Sequence, residues 1–121
     1  MSIPSTRFPG GRPRLLLNAF LMNTTSHIRG GQWRHPDAGQ HRFNELSFWT
    51  DLARQLEDAK FDALFFADVV GLYGNHDGGW SSHVRRGLQV PANDPLLLLA
   101  ALSGATRDIG LAATSSVVHS H

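Results

Sequence analysis

Three apolar runs of strand length alternate with two helical patterns, and this alternation restricts the possible folds more than any other feature of the chain. The runs span 15–22, 61–67 and 109–114. The first is nearly continuous in apolar residues, as expected of a strand that is buried on both faces, and the second has a similar buried-strand pattern. The third follows the second helix after a short joint and is also predicted to be a strand. Because strands that alternate with helices are joined by right-handed crossovers, the order β-α-β-α-β predicts a parallel sheet in an α/β protein.

The two helices and the domain limits are predicted from local signals. Between 44 and 59, apolar residues recur with a helical period, with Asn44 as the candidate N-cap and Glu45 in the first turn. The second helix, at 96–105, follows Asp94-Pro95, since aspartate can cap free backbone N–H groups and proline suits the first helical position. Residues 1–14 are rich in proline and glycine and are predicted to form a flexible leader before a domain at 15–121.

The connections between these elements are strongly asymmetric in length. The helix-to-strand joints have only a few residues, whereas the strand-to-helix loops span 23–42 and 68–93. Loops longer than about 12–15 residues in a compact domain are usually functional or disordered. Ligands of parallel α/β folds lie at the carboxyl ends of the strands, where these loops gather. The sequence therefore predicts a site on that face.

The first long loop brings aromatic and cationic side chains together beside glycines. They are His27, Trp33, Arg34 and His35. Such groups suit a planar anionic or aromatic ligand, because a ring can stack, a cation can pair and glycine lets backbone approach. The alternative is a solvated loop in which Trp33 packs on the rim of the sheet.

Polar residues also end the second and third apolar runs. Asp68 follows the second run, where a carboxylate can orient a ligand or act as a base. Thr114, Ser115 and Ser116 end the third, and their hydroxyls suit hydrogen bonds to a cofactor. Capping of local backbone groups is the alternative for both sets.

Composition excludes several classes of function. A net charge of +1 with interleaved signs gives no basic stripe for nucleic acid. The longest apolar run, at 96–102, is far below the roughly 20 residues of a membrane span. The absence of cysteine removes thiolate chemistry and fits a reducing cytosol, so we expect a soluble cytoplasmic protein. The histidines lie in separate loops without metal-ligand spacing, so we expect no metal site. The glycines match neither the dinucleotide-binding nor the P-loop pattern, so we expect neither kind of phosphate site.

The order of motifs resembles one family. The matching segments are Asn18-Ala-Phe-Leu, Trp33-Arg-His-Pro-Asp-Ala38, Lys60-Phe-Asp-Ala-Leu-Phe-Phe-Ala-Asp68, Asp94-Pro95 and Ile109-Gly-Leu-Ala-Ala-Thr-Ser-Ser116. Together they resemble the nitrilotriacetate monooxygenase, dibenzothiophene-sulfone monooxygenase and pristinamycin synthase group of the luciferase-like flavin monooxygenases. The resemblance covers about residues 15–121.

The resemblance implies a (β/α)₈ TIM barrel that binds reduced FMN, which a separate NAD(P)H:flavin reductase delivers. The reduced flavin and O₂ then oxygenate a C–N, C–S or C–H centre of a small organic substrate. It also implies that Asp68, Thr114 and Ser115 contact the flavin, and that His27, Trp33, Arg34 and His35 lie at the substrate pocket. It assigns no catalytic residue, and complete members are expected to be homo-oligomers.

Length is the main departure from the family. A TIM barrel typically needs about 250 residues, and this chain of 121 supplies two βα units and a third strand. We therefore expect an incomplete, N-terminal portion of the barrel, a fragment that is inactive by itself. The alternative is a small non-catalytic α/β module for flavin binding or protein interaction.

Overall fold

The computed structural model describes residues 14–27, 31–69, 71–72 and 78–115. Its main elements in chain order are β1 (Asn18–Leu21), α1 (Leu46–Asp58), β2 (Ala63–Phe66), α2 (Ser81–Arg86), α3 (Pro95–Ser103) and β3 (Gly110–Ala113). Two single-turn 3₁₀ helices, Gln32–Arg34 and Gln40–Arg42, lie in the first long loop. Most of the predicted leader, Ser116, and the histidines at 76, 119 and 121 lie outside the described residues.

The three strands form one parallel sheet in the order β1-β2-β3. Leu21 pairs with Phe66, which in turn pairs with Ala113, so the three strands end level with one another. The predicted parallel β-α-β-α-β architecture is therefore confirmed. The structure also contains α2, which lies inside the loop predicted at 68–93. The sequence did not predict this helix, because its six residues are rich in serine and arginine and have no helical pattern of apolar residues.

The core lies between one face of the sheet and the helices α1 and α3. Leu64, Phe66 and Leu102 are almost completely buried there. Trp49 and Ala53, one helical turn apart on α1, complete the contact. The Trp49 and Phe66 rings meet edge to face, with centroids 5.3 Å apart, a favourable geometry for aromatic pairs. This packing fixes α1 across the sheet.

The prediction that the first strand is buried on both faces is wrong for this chain. Leu15 is 81% exposed and Phe20 is 54% exposed, although Leu21 packs against the core. Successive side chains of a strand point to opposite faces, and among the described residues α1 and α3 cover the same face. Phe20 and Phe65, whose ring centroids are 5.6 Å apart, therefore share the uncovered face.

The predicted caps of the two longer helices have different outcomes. Asp94 caps α3 as predicted, because its side-chain oxygen accepts a hydrogen bond from the Leu96 backbone N–H at 2.8 Å. The prediction for Asn44 is wrong, since Glu45 is the N-cap residue of α1. The Asn44 side chain instead accepts a hydrogen bond from the Asn93 amide at 2.7 Å, which joins the starts of the two helices.

Two carboxylates organise the opposite end of the sheet, where the strands begin. Glu57 Oε1 accepts three backbone N–H bonds from Arg107, Asp108 and Ile109, at 2.8, 2.6 and 3.0 Å. These hydrogen bonds lower the pKa of Glu57, and the bond from the Asp108 N–H has the largest effect. Asp62 accepts the Leu17 N–H at 2.9 Å and forms an ion pair with Arg14. The amino ends of the strands are therefore held by structural contacts.

Candidate functional site

The carboxyl ends of the three strands meet at one edge of the sheet. Hydrogen bonds continue the ladder one residue past the strands, from Ala67 N–H to the Leu21 carbonyl and from Thr114 N–H to the Phe66 carbonyl, both at 2.9 Å. This register places the strand-end residues predicted from the sequence side by side. Asp68 and Thr114 are half-buried there, and Ser115 is exposed.

The two long loops pair with each other above the end of β1. Five hydrogen bonds among the described residues join 23–26 or Trp33 to 86–93. They run from Gln89 N–H to the Ser26 carbonyl (2.8 Å), from Asn93 N–H to the Asn23 carbonyl (2.9 Å), from the Thr24 hydroxyl to the Pro91 carbonyl (2.7 Å), from the Thr25 hydroxyl to the Gly87 carbonyl (3.3 Å) and from the Trp33 indole N–H to the Arg86 carbonyl (3.0 Å). Thr24 also forms an antiparallel bridge with Ala92. These hydrogen bonds therefore hold the second loop against the first, and the paired loops are called the wall below.

A cavity of about 460 Å³ opens beside this wall, between the end of β1 and the first turns of α1. Half of its lining is apolar: Phe20, Leu21, Met22, Phe48, Trp49 and Leu52. The other half is polar: Thr24, Thr25, Ser26, His27, Gln32 and Gln40. The His27 ring packs against Phe20 with centroids 5.0 Å apart. The size and the mixed lining of the cavity are typical of a small-molecule site.

Of the four predicted pocket residues, only His27 lines this cavity. Trp33 is half-buried and its indole is engaged by the Arg86 carbonyl. The Arg34 guanidinium lies 5.9 Å from the centre of the Trp33 ring. His35 is exposed, and its Nδ1 accepts the Asp37 N–H at 3.3 Å. The tryptophan and arginine thus stabilise the loop itself within the described structure.

Two buried residues that the sequence analysis did not select also lie at this end of the sheet. Within the described ranges, Asn23 Oδ1 and Gln89 Oε1 are buried without a hydrogen-bond partner. Gln89 has a positive φ of 56° and directs its amide nitrogen at the Met22 sulfur, 3.8 Å away. Unpaired buried acceptors and left-handed backbone at non-glycine residues are concentrated at functional sites. No motif surrounds either residue, so no sequence signal pointed to them.

Two absences concern only the part of the chain that the structure describes. There, no group of three or more histidine, aspartate or glutamate side chains could hold an ion. No helix among those residues has the length and apolar character needed to cross a bilayer.

The fold is an open parallel α/β sheet with its long loops at the carboxyl ends of the strands. The chain is 44% identical over 108 residues to the long-chain alkane monooxygenase of Geobacillus thermodenitrificans, covering 89% of the chain and 24% of that relative. It is 41% identical over 106 residues to the dimethyl-sulfide monooxygenase of Hyphomicrobium sulfonivorans, covering 88% and 22%. No protein-family profile matches the chain.

Solved structures give the same result. The crystal structure of the Hyphomicrobium enzyme superposes with a TM-score of 0.82 at 41% identity, over 86% of this chain and 22% of that one. A riboflavin lyase solved with modified FMN and riboflavin superposes with a TM-score of 0.78 at 32% identity, over 88% and 24%. The comparison thus covers most of this chain and about a quarter of each solved chain.

The predicted resemblance is confirmed: the chain is related to the N-terminal portion of luciferase-like flavin monooxygenases with a TIM-barrel fold. Its relatives include the nitrilotriacetate, dibenzothiophene-sulfone and pristinamycin synthase proteins named by that resemblance. The chain spans less than a quarter of the length of the curated relatives that it matches.

Proposed function

We propose that the protein carrying this chain is an FMN-dependent monooxygenase of the two-component kind, which uses reduced FMN and O₂ to oxygenate a small organic substrate in the cytoplasm. The observation that carries the proposal is the extent of the match. The 44% identity extends over 108 residues, 89% of the chain, and thus across most of the strand-end edge and its two loops. The name of one relative, nitrilotriacetate monooxygenase component A, supports a separate flavin reductase as partner.

The residues at the strand ends fit a flavin. A flavin ring needs apolar contact on its faces and hydrogen-bonding groups at its polar edge, and the bound cofactor would supply the chemistry of oxygen activation. The uncovered sheet face offers Phe20 and Phe65. Asp68, which is half-buried just after the end of β2, offers carboxylate oxygens that can accept hydrogen bonds.

Within this proposal, the chain's own residues bind, orient and exclude water. Asp68, Thr114 and Ser115 hold the flavin by accepting or donating hydrogen bonds at the strand ends. The apolar half of the cavity keeps water from the reacting centre, which limits side reactions with water. His27, with Trp33, Arg34 and His35 around the loop, forms the approach for the substrate.

The test uses the protein that the complete reading frame encodes, with FMN, NAD(P)H, a flavin reductase and O₂. Oxygenated product that depends on all four components is the expected result, and hydrogen peroxide without product contradicts the proposal. Asp68→Ala should weaken FMN binding about ten-fold, the effect of about 1.4 kcal/mol of lost interaction. Asp37→Ala is the matched control, since the Asp37 side chain is 91% exposed in the loop. Equal FMN affinity in the two variants would remove Asp68 from the site.

A second candidate concerns the 121 residues taken alone. The three-stranded sheet leaves Phe20 54% exposed, because α1 and α3 pack on the opposite face. We propose that this chain by itself does not convert substrate. Its function would then be to bind flavin or another protein without catalysis. Saturable FMN binding without product would support the binding module. Substrate turnover by the purified 121-residue chain would contradict the proposal.

A further inference from the structure

We propose that the cavity beside β1 admits an uncharged, mainly apolar substrate and discriminates against carboxylates. This inference rests on the proposed function, because it names the substrate class of that same site. Its basis is the lining of the cavity, in which neither an acidic residue nor a lysine or arginine occurs among the described residues.

The apolar half of the cavity can surround an alkyl group. Phe20 and Met22 contribute from the end of β1, and Phe48, Trp49 and Leu52 contribute from α1. Burial of apolar surface is favourable in proportion to its area. A substrate with an alkyl chain or a thioether therefore gains affinity from this apolar half without any directed polar contact.

The polar half supplies only neutral hydrogen-bonding groups. Thr25 and Gln32 are representative, and the described part of the lining contains no lysine, arginine or acidic side chain. An ionised carboxylate loses its hydration when it enters such a site, and that loss is offset only by a fixed cation or several good hydrogen bonds. An amide, alcohol or ether loses much less.

Among the described residues, two arginines close in sequence to the cavity lining, Arg34 and Arg42, have partners outside that lining. Arg34 lies over the Trp33 ring. Arg42 lies 5.7 Å from the centre of the Phe48 ring, but its guanidinium pairs with Glu45 at 2.8 Å. The charge of Arg42 is therefore balanced by Glu45.

Octanamide and octanoate test the inference, because they have the same number of heavy atoms and differ in charge. Binding is measured by calorimetry on the protein encoded by the complete reading frame, at a pH where octanoate is ionised. We expect octanamide to bind at least about ten-fold more tightly. Gln32→Lys, which places a cation in the exposed part of the lining, should reduce this preference several-fold. Gln55→Lys adds the same charge on the exposed side of α1 and should leave the preference unchanged.

Three results would overturn the inference: equal or tighter binding of octanoate, no saturable binding of either probe, or the same response to both lysine variants. Failure of the proposed function is seen separately in the oxygenation assay. Oxygenation that prefers carboxylate substrates leaves the proposed function standing and refutes this inference. A retained octanamide preference without FMN-dependent oxygenation refutes the proposed function alone.

Discussion

Leu97 and Leu102 on α3 allow a quantitative test of the packing, because the same substitution can be made at both positions. Leu102 is 0% exposed and Leu97 is 76% exposed. Leu102→Ala removes three carbon atoms from the core, which at about 0.8 kcal/mol per buried methylene costs roughly 2.4 kcal/mol. The cavity left behind raises the expected loss of unfolding free energy to about 3–4 kcal/mol. Leu97→Ala should change it by less than about 0.5 kcal/mol.

Urea unfolding followed by tryptophan fluorescence measures both variants, since Trp49 lies in the same core as Leu102. The midpoint should fall strongly for Leu102→Ala, while the dependence on urea stays the same as in the parent protein. A retained slope shows that stability, and not the extent of unfolding, has changed. Equal losses in the two variants would refute the assignment of Leu102 to the core and of Leu97 to the surface.

Much of the fold could be predicted from the sequence, because its main signals are local. The apolar runs and the period of α1 give strands and helix directly, and Asp94-Pro95 marks the start of α3 correctly. The errors arise where long-range contacts decide. The Asn44 side chain does not cap α1 and instead accepts a hydrogen bond from Asn93, which lies 49 residues later. The exposure of Phe20 depends on which face the helices cover, and strand periodicity does not specify that choice.

The candidate site was predictable in position but only partly in composition. The asymmetry of loop lengths pointed to the carboxyl edge of the sheet, and the cavity that His27 lines opens at the same edge. The pairing of the two loops could not be foreseen, because it joins residues more than fifty positions apart, such as Trp33 and Arg86. That pairing engages the indole N–H of Trp33 and buries Gln89. Sequence proximity to His27 was therefore a poor guide to which loop side chains share its cavity.

Two further substitutions test the ends of the sheet and the lining of the cavity. Trp49→Phe keeps an aromatic ring but leaves the Phe43 carbonyl, which accepts the indole N–H at 2.7 Å, without this partner. This substitution should lower the free energy of unfolding by about 1–3 kcal/mol. Trp80→Phe is the control and should be nearly neutral, because Trp80 is 61% exposed. Equal losses in the two variants would contradict the role of this hydrogen bond. Glu57→Gln should destabilise the protein near neutral pH, because a charged acceptor of three backbone N–H groups becomes a neutral one. Since folding lowers the pKa of Glu57, its carboxylate stabilises the fold above the ordinary value of 4.5, and this contribution is lost as the pH falls through the lower pKa of the folded state. The thermal stabilities of parent and Glu57→Gln should therefore converge in acid, while the exposed Glu45→Gln control shows a smaller difference at every pH. A gap between parent and Glu57→Gln that stays constant down to the acid limit would mean that the carboxylate acts through its shape and not through its charge.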